Sequence, residues 1–396
     1  MTTSTDLRIE GSVDPRFERV REAFARNFEE HGEVGASLAV FVDGNPVVDL
    51  WGGRMHPDRD DPWERDTIVN CWSMTKGMTA TLAHIYADRG LIDYDAPVAK
   101  YWPEFGKLGK EAIPVRWLLS HQAGLVAVDA PLKPRDHEDW DTMVHALEET
   151  TPQWEPGTRN GYHMVTFGWL VGEVIRRVSG ASSVGALFRD EVAGPLGADF
   201  QIGTPASEDA RIATIIQPVP GALGRPNPDP DAPVNPLLVR SLLRDSELIA
   251  TPNSRGWRGA EIPGGNGHGN ARGVATVYSA LAQGGTHNGA RLMRPERVDL
   301  AREVQVQSPD AVLTVETRRS LGYMHPIPGS GDRRGPEAFG HGGAGGSFGF
   351  ADPQHRIGFG YAMNQMWAGE FGTIDPRAQL LAGAVYESMG IETGKD

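Results

Sequence analysis

The chain has 396 residues, of which 39% are hydrophobic and 23% are charged, and this length suits one large domain with an insertion, or two domains. Its 38 lysines and arginines against 52 aspartates and glutamates give a formal net charge of −14. Because this balance repels polyanions, we expect no nucleic-acid partner.

The first elements predicted along the chain are a helix and a hairpin. A helix over residues 14–30 begins with Asp-Pro, which is typical of an N-cap followed by the first helical position. Its apolar stripe consists of Phe17, Val20, Phe24 and Phe28. Residues 36–42 and 47–51 have the composition of strands, and the Asp43-Gly44 pair between them is a strong hairpin signal.

The next predicted helix, over residues 73–89, carries a serine and a lysine that can act together. Ser73 and Lys76 are three residues apart and so share one helix face, which puts a nucleophile beside a candidate base. At the helix N-terminus, the N–H of Ser73 and the helix dipole can stabilise an oxyanion. Taken alone, the same spacing also suits a serine N-cap and a solvated lysine.

Two segments in the middle of the chain are rich in proline or glycine. Residues 218–236 contain seven prolines and predict an extended loop, either a flap over a site or a surface excursion with no role in binding. Residues 263–270 contain several glycines but lack the Lys-Ser/Thr pair of a P-loop, so we expect no nucleotide site there. A helix is predicted directly after them, over residues 274–282.

The C-terminal part contains the same kinds of element as the N-terminal part. Residues 347–351 and 357–363 predict a second hairpin. A further helix begins at Asp375-Pro376 and carries the apolar residues Leu380, Leu381, Val385 and Met389.

The two ends of the chain together predict the fold class. The economical arrangement is α+β, with one antiparallel sheet built from both chain ends and flanked by the terminal helices. We assign residues 1–97 and 270–396 to this discontinuous sheet domain, and residues 98–269 to an inserted, mainly helical domain that includes the proline-rich loop.

Four further motifs follow Ser73-x-x-Lys76 in chain order, and they carry a family resemblance. They are Leu118-Leu-Ser-His121-Gln-Ala-Gly-Leu125, Trp154-Glu-Pro-Gly157, Tyr162-His163-Met164 and His341-Gly342-Gly343. The ordered set resembles the serine β-lactamase and penicillin-binding-protein superfamily and, within it, the family VIII carboxylesterases and their class C-like relatives. The resemblance extends from about residue 17 to about residue 389 and implies a β-lactamase-like fold.

The resemblance also implies roles for particular residues. Ser73 matches the nucleophile, and Lys76 with Tyr162 matches the general base system, with the choice of base between these two left open. The N–H groups of Ser73 and Ala344 would form the oxyanion hole. Substrate contacts are expected from Trp72, His163, Met164, His341, Gly342 and Gly343. We further expect that Lys76 and Tyr162, by their mutual proximity, bring their pKa values toward neutrality.

Two departures from the β-lactamase pattern bear on the substrate. His341 stands where those enzymes have the lysine of Lys-Thr-Gly, and Met164 stands where they usually have asparagine. Losing a cation and an amide favours an uncharged ester over a β-lactam. We therefore predict a carboxylesterase for short acyl chains that forms an acyl-enzyme on Ser73. Acyl transfer, amide or D-amino-peptide hydrolysis and β-lactam hydrolysis remain alternatives, and a non-catalytic scaffold is a remote one.

Two other patterns are interpreted as structural. Gly345-Gly-Ser347-Phe-Gly349 matches G-x-S-x-G, but that motif requires a following helix and the next residues predict a hairpin, so we interpret the match as accidental. His121 is expected to pack the helical domain rather than to join a catalytic triad. No two histidines have metal-ligand spacing on one helix face, so neither a metal nor another cofactor is expected.

The remaining expectations concern location and partners. The only cysteine, Cys71, excludes an internal disulfide. The N-terminal residues lack a basic region followed by an apolar one, and no window reaches membrane-spanning length, so we expect a soluble, cytoplasmic protein without membrane contact. Its partner is a small-molecule ester, and homo-oligomers are possible.

Overall fold

The structure is a computed structural model that describes residues 7–218, 235–243, 246–247, 251–367, 369 and 374–394. The α-helices in this part of the chain are α1 (Glu18–Glu30), α2 (Thr75–Asp88), α3 (Val115–Leu119), α4 (Trp140–Glu148), α5 (Thr166–Ser179), α6 (Val184–Phe188), α7 (Gly194–Leu196), α8 (Pro236–Ser241), α9 (Arg255–Gly259), α10 (Ala271–Ala282), α11 (Pro295–Arg302) and α12 (Pro376–Ser388). The strands are β1 (Ile9–Val13), β2 (Gly35–Val42), β3 (Asn45–Gly53), β4 (Val69–Asn70), β5 (Phe200–Gln201), β6 (His268–Gly269), β7 (Thr286–His287), β8 (Ala290–Arg291), β9 (Val306–Pro309), β10 (Glu316–Arg319), β11 (Phe339–Gly342), β12 (Phe348–Asp352) and β13 (Ile357–Met363).

A six-stranded antiparallel sheet is assembled from both ends of the chain, in the order β1-β3-β2-β13-β12-β11. The two halves meet where β2 pairs with β13, with Ala36 opposite Met363 and Val42 opposite Ile357. Both hairpins predicted from the sequence are therefore present and share one sheet. The predicted α+β, β-lactamase-like fold is confirmed, and the sequence analysis assigned four of the six strands but not the two at the sheet edges, β1 and β11.

The terminal helices α1 and α12 cover one face of this sheet. The side chain of Asp375 accepts from the N–H of Arg377 and caps α12 as predicted, whereas that of Asp14 accepts from the N–H of Arg16 and caps a 3-10 turn, Pro15–Phe17, that leads into α1. The core between helices and sheet consists of buried residues including Phe17, Val20, Phe24, Leu38, Leu50, Phe350, Phe359, Leu381 and Val385. Burial of these apolar side chains is the main force that holds the chain ends together.

Helix α10 packs on the opposite face of the sheet, closely enough to require glycine in β13. A Cβ atom on Gly358 would lie 2.4 Å from the backbone N of Ser279, and one on Gly360 would lie 2.3 Å from the carbonyl oxygen of Ala271. The helix begins where the side chain of Asn270 accepts from the N–H of Gly273 at 2.9 Å. The glycines of β13 thus set the distance between this helix and the sheet.

Helix α2 is buried on every side from Thr75 to Ala87. It contacts α5 and α6 of the central region, α11, and the edge strand β11 of the large sheet. A helix that is enclosed all round sits inside the molecule and is held rigidly by its neighbours. Residues on this helix are therefore fixed relative to both the sheet and the helical region.

Several sequence expectations lie outside what the structure decides. Residues 219–234 of the proline-rich segment are outside the described residues, so its interpretation as a flap or as a surface excursion stays open. The division into residues 1–97 with 270–396 and residues 98–269 stays a prediction. Across the described ranges, none of the helices combines the length and the apolar character needed to span a lipid bilayer.

Candidate active site

The predicted nucleophile lies in a 3-10 turn, Trp72–Met74, that leads directly into α2; we call it the nucleophile turn. Trp72 has φ 48°, a left-handed conformation that is unfavourable for a residue with a side chain. Two hydrogen bonds hold it there, since its N–H donates to Asn70 Oδ1 at 3.2 Å and its carbonyl accepts from Thr75 Oγ1 at 2.5 Å. The N–H of Ser73 stands at the start of the helix, where backbone donors have no intrahelical acceptor.

Lys76 is completely buried and reaches back to the nucleophile. Its Nζ lies 3.0 Å from Ser73 Oγ and donates to the carbonyl oxygens of Met164 and Gly264, both at 2.6 Å. Burial and the positive charge of Arg319 lower the pKa of Lys76 well below its usual value. In the amine form, two N–H groups satisfy the two carbonyls and the lone pair faces the Ser73 hydroxyl.

Tyr162 closes the other side of the Ser73 and Lys76 pair. Its ring centroid lies 4.8 Å from Lys76 Nζ, and only 7% of the residue is exposed. Burial raises the pKa of the phenol well above its usual value, although the Ser73 hydrogen bond and the Arg319 charge partly offset this. The expectation that proximity to lysine lowers the tyrosine pKa is wrong, because desolvation of the phenolate outweighs the nearby charges.

The His341-Gly342-Gly343 motif lies at the end of β11, the edge strand beside the nucleophile turn. Nδ1 of His341 is 2.7 Å from the carbonyl oxygen of Gly342 and donates to it, so Nε2 carries no proton. That Nε2 is buried and has no hydrogen-bond partner among the described residues. Burial and the charge of Lys76 lower the pKa of His341 to about 3. His341 is therefore a neutral acceptor, stacked on the Tyr162 ring at a centroid distance of 6.1 Å.

The segment after β11, residues 343–346, lies against the nucleophile turn, and we call it the oxyanion loop. A Cβ atom on Gly343 would lie 2.2 Å from the carbonyl oxygen of Cys71 and 2.1 Å from Ser347 Oγ, so only glycine allows this approach. Ala344 begins the short 3-10 turn Ala344–Gly346, which places its N–H at the free end of a turn. The start of the oxyanion loop, with the N–H of Ala344, therefore lies near the nucleophile turn, which carries the N–H of Ser73.

Hydrogen bonds from two side chains fix the position of the oxyanion loop. Ser347 Oγ donates to the carbonyl oxygen of Cys71 at 2.7 Å, which ties the loop to the nucleophile turn. Arg377 Nη2 donates to the carbonyl oxygen of Gly345 at 3.0 Å and is itself paired with Asp375. Ser347 is followed by strand β12 and not by a helix, so the interpretation of the G-x-S-x-G match as accidental is confirmed.

The other predicted contact residues divide into two groups. Trp72 packs on Trp257 at a ring distance of 5.6 Å, and the Met164 side chain is half-buried while its carbonyl serves Lys76. His163 does not face a cleft. It is fully buried, its Nε2 accepts from the N–H of Leu125 at 3.0 Å, and its Nδ1 donates to the carbonyl oxygen of Gly161 at 2.7 Å. Both imidazole nitrogens are used by the backbone, so the expectation of a substrate contact from this side chain is wrong.

His121 lies behind Tyr162 rather than beside Ser73. Its Nδ1 accepts from the N–H of His163 at 3.0 Å, and its ring is 5.0 Å from that of Tyr162. Burial, with the Arg319 charge, lowers the pKa of His121 well below its usual value, so it is neutral. Its contacts are those of a residue that packs the motif bearing Tyr162.

Three contributors to the site were missed by the sequence analysis. Gly264, in the glycine-rich segment, provides a carbonyl to Lys76 across 188 residues of sequence. Asp310 and Arg319 form a fully buried ion pair, with 2.6 Å between Asp310 Oδ2 and Arg319 Nη1, directly behind Tyr162. The clustered glycines around residue 264 were the only signal available for any of the three. In the part of the chain that the structure describes, no group of three His, Cys, Asp or Glu side chains is arranged to hold a metal ion.

Comparison with known proteins gives consistent matches over nearly the whole chain. Residues 20–384 match the protein family described as Beta-lactamase. The crystal structure of a family VIII carboxylesterase is 44% identical, covers 96% of this chain and all of the matched chain, and superposes with a TM-score of 0.87. A penicillin-binding protein homologue from Caulobacter crescentus is 37% identical with the same coverage and a TM-score of 0.88. The esterase/beta-lactamase LipL of Mycobacterium tuberculosis is 37% identical over 380 residues, which are 91% of this chain and 83% of LipL.

Proposed function

Because the chain belongs to the beta-lactamase family, and to its family VIII carboxylesterase branch, we propose that it is a serine carboxylesterase that acts on uncharged esters through an acyl-enzyme on Ser73. The observation that carries this proposal is the triple contact of Lys76 Nζ with Ser73 Oγ and two backbone carbonyls. With its two N–H groups donated to the carbonyls, the Lys76 amine has its lone pair facing the serine hydroxyl. A serine hydroxyl is a weak nucleophile until a neighbouring base accepts its proton.

In the acylation step, the Lys76 amine accepts the proton of Ser73 as Oγ attacks the ester carbonyl. The negative charge that develops on the carbonyl oxygen is stabilised by the N–H groups of Ser73 and Ala344. The phenol of Tyr162, whose pKa is raised by burial, keeps its proton and donates it to the departing alcohol oxygen. The Lys76 ammonium then returns a proton to Tyr162. Collapse of the tetrahedral intermediate breaks the ester bond and leaves the acyl group on Ser73.

In the deacylation step, water takes the place of the alcohol. Its proton passes to Lys76, its oxygen attacks the acyl carbonyl, and Ser73 regains its proton as the acid leaves. The same donors stabilise the oxyanion in both steps, since both intermediates are tetrahedral at the same carbon.

His341 favours an uncharged substrate. A buried imidazole without charge, whose unpartnered nitrogen is an acceptor, offers nothing to a substrate carboxylate and repels its lone pairs. Short acyl esters of simple alcohols carry no such group. These are the substrates that we expect to be turned over fastest.

The first test is hydrolysis of p-nitrophenyl esters from acetyl to octanoyl by the wild type and by Ser73→Ala. We expect the wild type to release p-nitrophenol from short esters and Ser73→Ala to lose at least about 10³-fold in kcat/KM, as removal of a nucleophile does. A serine-directed phosphonate should add its phosphorus to Ser73, which peptide mass spectrometry locates. Full activity in Ser73→Ala would refute the proposal.

A second candidate function is β-lactam hydrolysis, because the relative LipL is named both an esterase and a beta-lactamase. The same panel should therefore include a chromogenic cephalosporin, which carries a carboxylate. We expect its kcat/KM to be far below that for the short esters. Turnover of the cephalosporin faster than of every ester would make β-lactam hydrolysis the better description.

A further inference from the structure

The strand that carries Arg319 is linked to the strand that carries the His341 motif through one intervening residue, Met324. Arg319 is the last residue of β10, and it forms an antiparallel bridge with Met324. Met324 in turn bridges Gly340 of β11, with hydrogen bonds of 2.7 and 3.0 Å in the two directions. The backbone therefore brings an arginine to the inner side of the active site, where only 1% of it is exposed.

The guanidinium of Arg319 is tied to the backbone of Tyr162 through one carboxylate. Arg319 Nη1 donates to Asp310 Oδ2 at 2.6 Å and also to Asn160 Oδ1. Asp310 Oδ1 accepts from the N–H groups of Tyr162, Val312 and Leu313, at 3.1, 2.8 and 2.7 Å. Arg319 Cζ lies 5.4 Å from the Tyr162 ring centroid, and its Nε and Nη2 have no hydrogen-bond partner within the described ranges.

A buried ion pair of this kind has little value for stability alone. Removing two charges from water costs about as much as their attraction returns, and apolar residues of similar size often serve as well. Its position suggests another use, because the basic side chains of Lys76 and Arg319 both lie against the Tyr162 ring, at 4.8 and 5.4 Å from its centroid. The lysine can lose its proton, whereas the guanidinium cannot.

The histidines around Lys76 and Arg319 carry no positive charge of their own. His121, His163 and His341 face the same region, and burial lowers the pKa of His163 to about 4, that of His341 to about 3, and that of His121 well below its usual value. They are neutral across the pH range in which an esterase of this kind works. Among the described residues that contact Arg319, Asp310 carries the opposing negative charge, and that carboxylate also accepts from the N–H of Tyr162.

We propose that Arg319 is a positioning residue of this active site, which supports the Tyr162 ring and supplies a fixed positive charge that favours the proton-accepting form of Lys76. This inference rests on the proposed function, because it concerns the same Ser73, Lys76 and Tyr162. A nearby cation opposes the lysine ammonium and favours a tyrosine phenolate. The direction of the effect is thus the same whichever of the two residues accepts the Ser73 proton.

The test is the pH profile of kcat/KM for a short p-nitrophenyl ester in the wild type and in Arg319→Gln. Without the fixed charge, the base keeps its proton to higher pH, so we expect the acid limb of the profile to move up by about one to two pH units. On that limb, kcat/KM falls by roughly tenfold or more, and it recovers toward the wild-type plateau at high pH. An arginine that served only the structure would lower kcat/KM equally at every pH and leave the limb in place, and that outcome would overturn the proposal.

Three further variants make the comparison specific. Arg319→Lys keeps the positive charge, so its acid limb should stay near that of the wild type. Arg318→Gln removes the neighbouring arginine, which lies on the other face of β10 and donates to the carbonyl oxygen of Pro326, and it should also leave the limb unmoved. In Arg319→Gln combined with Asp310→Asn, no carboxylate is left unpaired. The shift should persist in this double variant, and a wild-type limb would show that unpaired Asp310, not loss of the cation, had caused it.

A second readout separates this inference from the proposed esterase activity and does not require a substrate. The rate at which a serine-directed phosphonate labels Ser73 also depends on deprotonation of the hydroxyl, so its pH dependence should shift in the same direction in Arg319→Gln. If wild-type protein is labelled but cleaves no ester, the proposed function fails and the labelling profile still decides the role of Arg319. If Arg319→Gln does not fold, judged by near-UV circular dichroism, the double variant is used in its place. Folded wild-type protein that is not labelled at any pH would overturn both proposals.

Discussion

The carbonyl oxygen of Cys71 is the point at which the nucleophile turn and the oxyanion loop are joined. It accepts from Ser347 Oγ and lies so close to Gly343 that a side chain there is excluded. A single residue contact thus sets the separation of the two N–H groups proposed to hold the oxyanion. Catalysis by fixed donors depends on such separations, because donors that must reorganise lose much of their effect.

Replacing Ser347 by alanine tests this contact at the scale of one residue. The variant loses one buried hydrogen bond, which costs about 1 kcal/mol, and the oxyanion loop gains freedom beside Cys71. We expect kcat to fall by about tenfold or less while KM changes little. Steady-state kinetics and phosphonate labelling check this, with Ser73→Ala as the control that loses both. Loss of labelling in folded Ser347→Ala would contradict the prediction and favour Ser347 as the nucleophile.

At the scale of elements, helix α2 packs closely against Tyr278 of α10, beside strand β11, because residue 77 is glycine. A Cβ atom at this position would lie 2.3 Å from the hydroxyl oxygen of Tyr278, on α10, and 3.5 Å from Cβ of His341. Tyr278 is itself fully buried and cannot easily move aside. The distance between α2, which carries Lys76, and α10 therefore depends on this one missing methyl group.

Gly77→Ala should separate α2 from α10. We expect lower thermal stability and a kcat reduced by about tenfold or more, since small displacements of catalytic groups have large effects on rate. Tyr278→Phe removes the oxygen that the new methyl group meets, and the next atom, Cζ, is 3.4 Å away. The double variant should therefore recover most of the lost stability and activity. Gly265→Ala, where a Cβ atom meets nothing within 4 Å, is the matched control. Additive losses in the double variant would show that the contact with Tyr278 is not the cause.

At the scale of the whole molecule, many histidines are enclosed in the interior as neutral groups. Burial lowers the pKa to about 3 for His84, His268, His325 and His341, and to about 4 for His163. These five imidazoles lie in different parts of the fold, so their effect is a property of the molecule and not of the site alone. Each is uncharged in the folded chain and becomes charged only on unfolding in mild acid.

This arrangement predicts sensitivity to acid. Below the unfolded-state pKa of about 6.5, the unfolded chain binds protons that the folded chain does not, so stability falls as the pH drops toward 3 to 4. Each histidine contributes up to about 1.4 kcal/mol per pH unit. Glu33 works in the opposite direction, because burial raises its pKa to about 7, but it is one group against five. We expect the free energy of unfolding in urea to fall by more than about 2 kcal/mol between pH 7 and pH 5.5.

A variant pair checks that the buried histidines cause this loss. His84→Gln removes one buried imidazole and should make the dependence of stability on pH less steep by one proton. His145→Gln, at a position where 73% of the side chain is exposed, should leave the slope as it is. A free energy of unfolding that is constant from pH 7 to pH 5.5 would contradict the prediction.

The local elements of the fold could be predicted because short-range sequence patterns specify them. Asp375 caps α12, Asp14 caps the 3-10 turn that leads into α1, and the residues around 36–51 and 347–363 form the two hairpins as expected. The placement of Ser73 and Lys76 on one helix face also follows from spacing alone. Such features depend on residues within a few positions of one another, so the chain need not be folded for them to be recognised.

What only the tertiary structure decided is which distant groups meet and how strongly each is buried. Asp310 lies 148 residues from Tyr162 and Gly264 lies 188 residues from Lys76, and no pattern in the sequence connects them. The order of the pKa values, with that of Lys76 lowered and that of Tyr162 raised, likewise follows from desolvation in the closed interior. The sequence by itself determined the local elements and the candidate reacting groups. The tertiary structure decided their charge states, because desolvation and the field of Arg319 arise only when remote segments enclose the site.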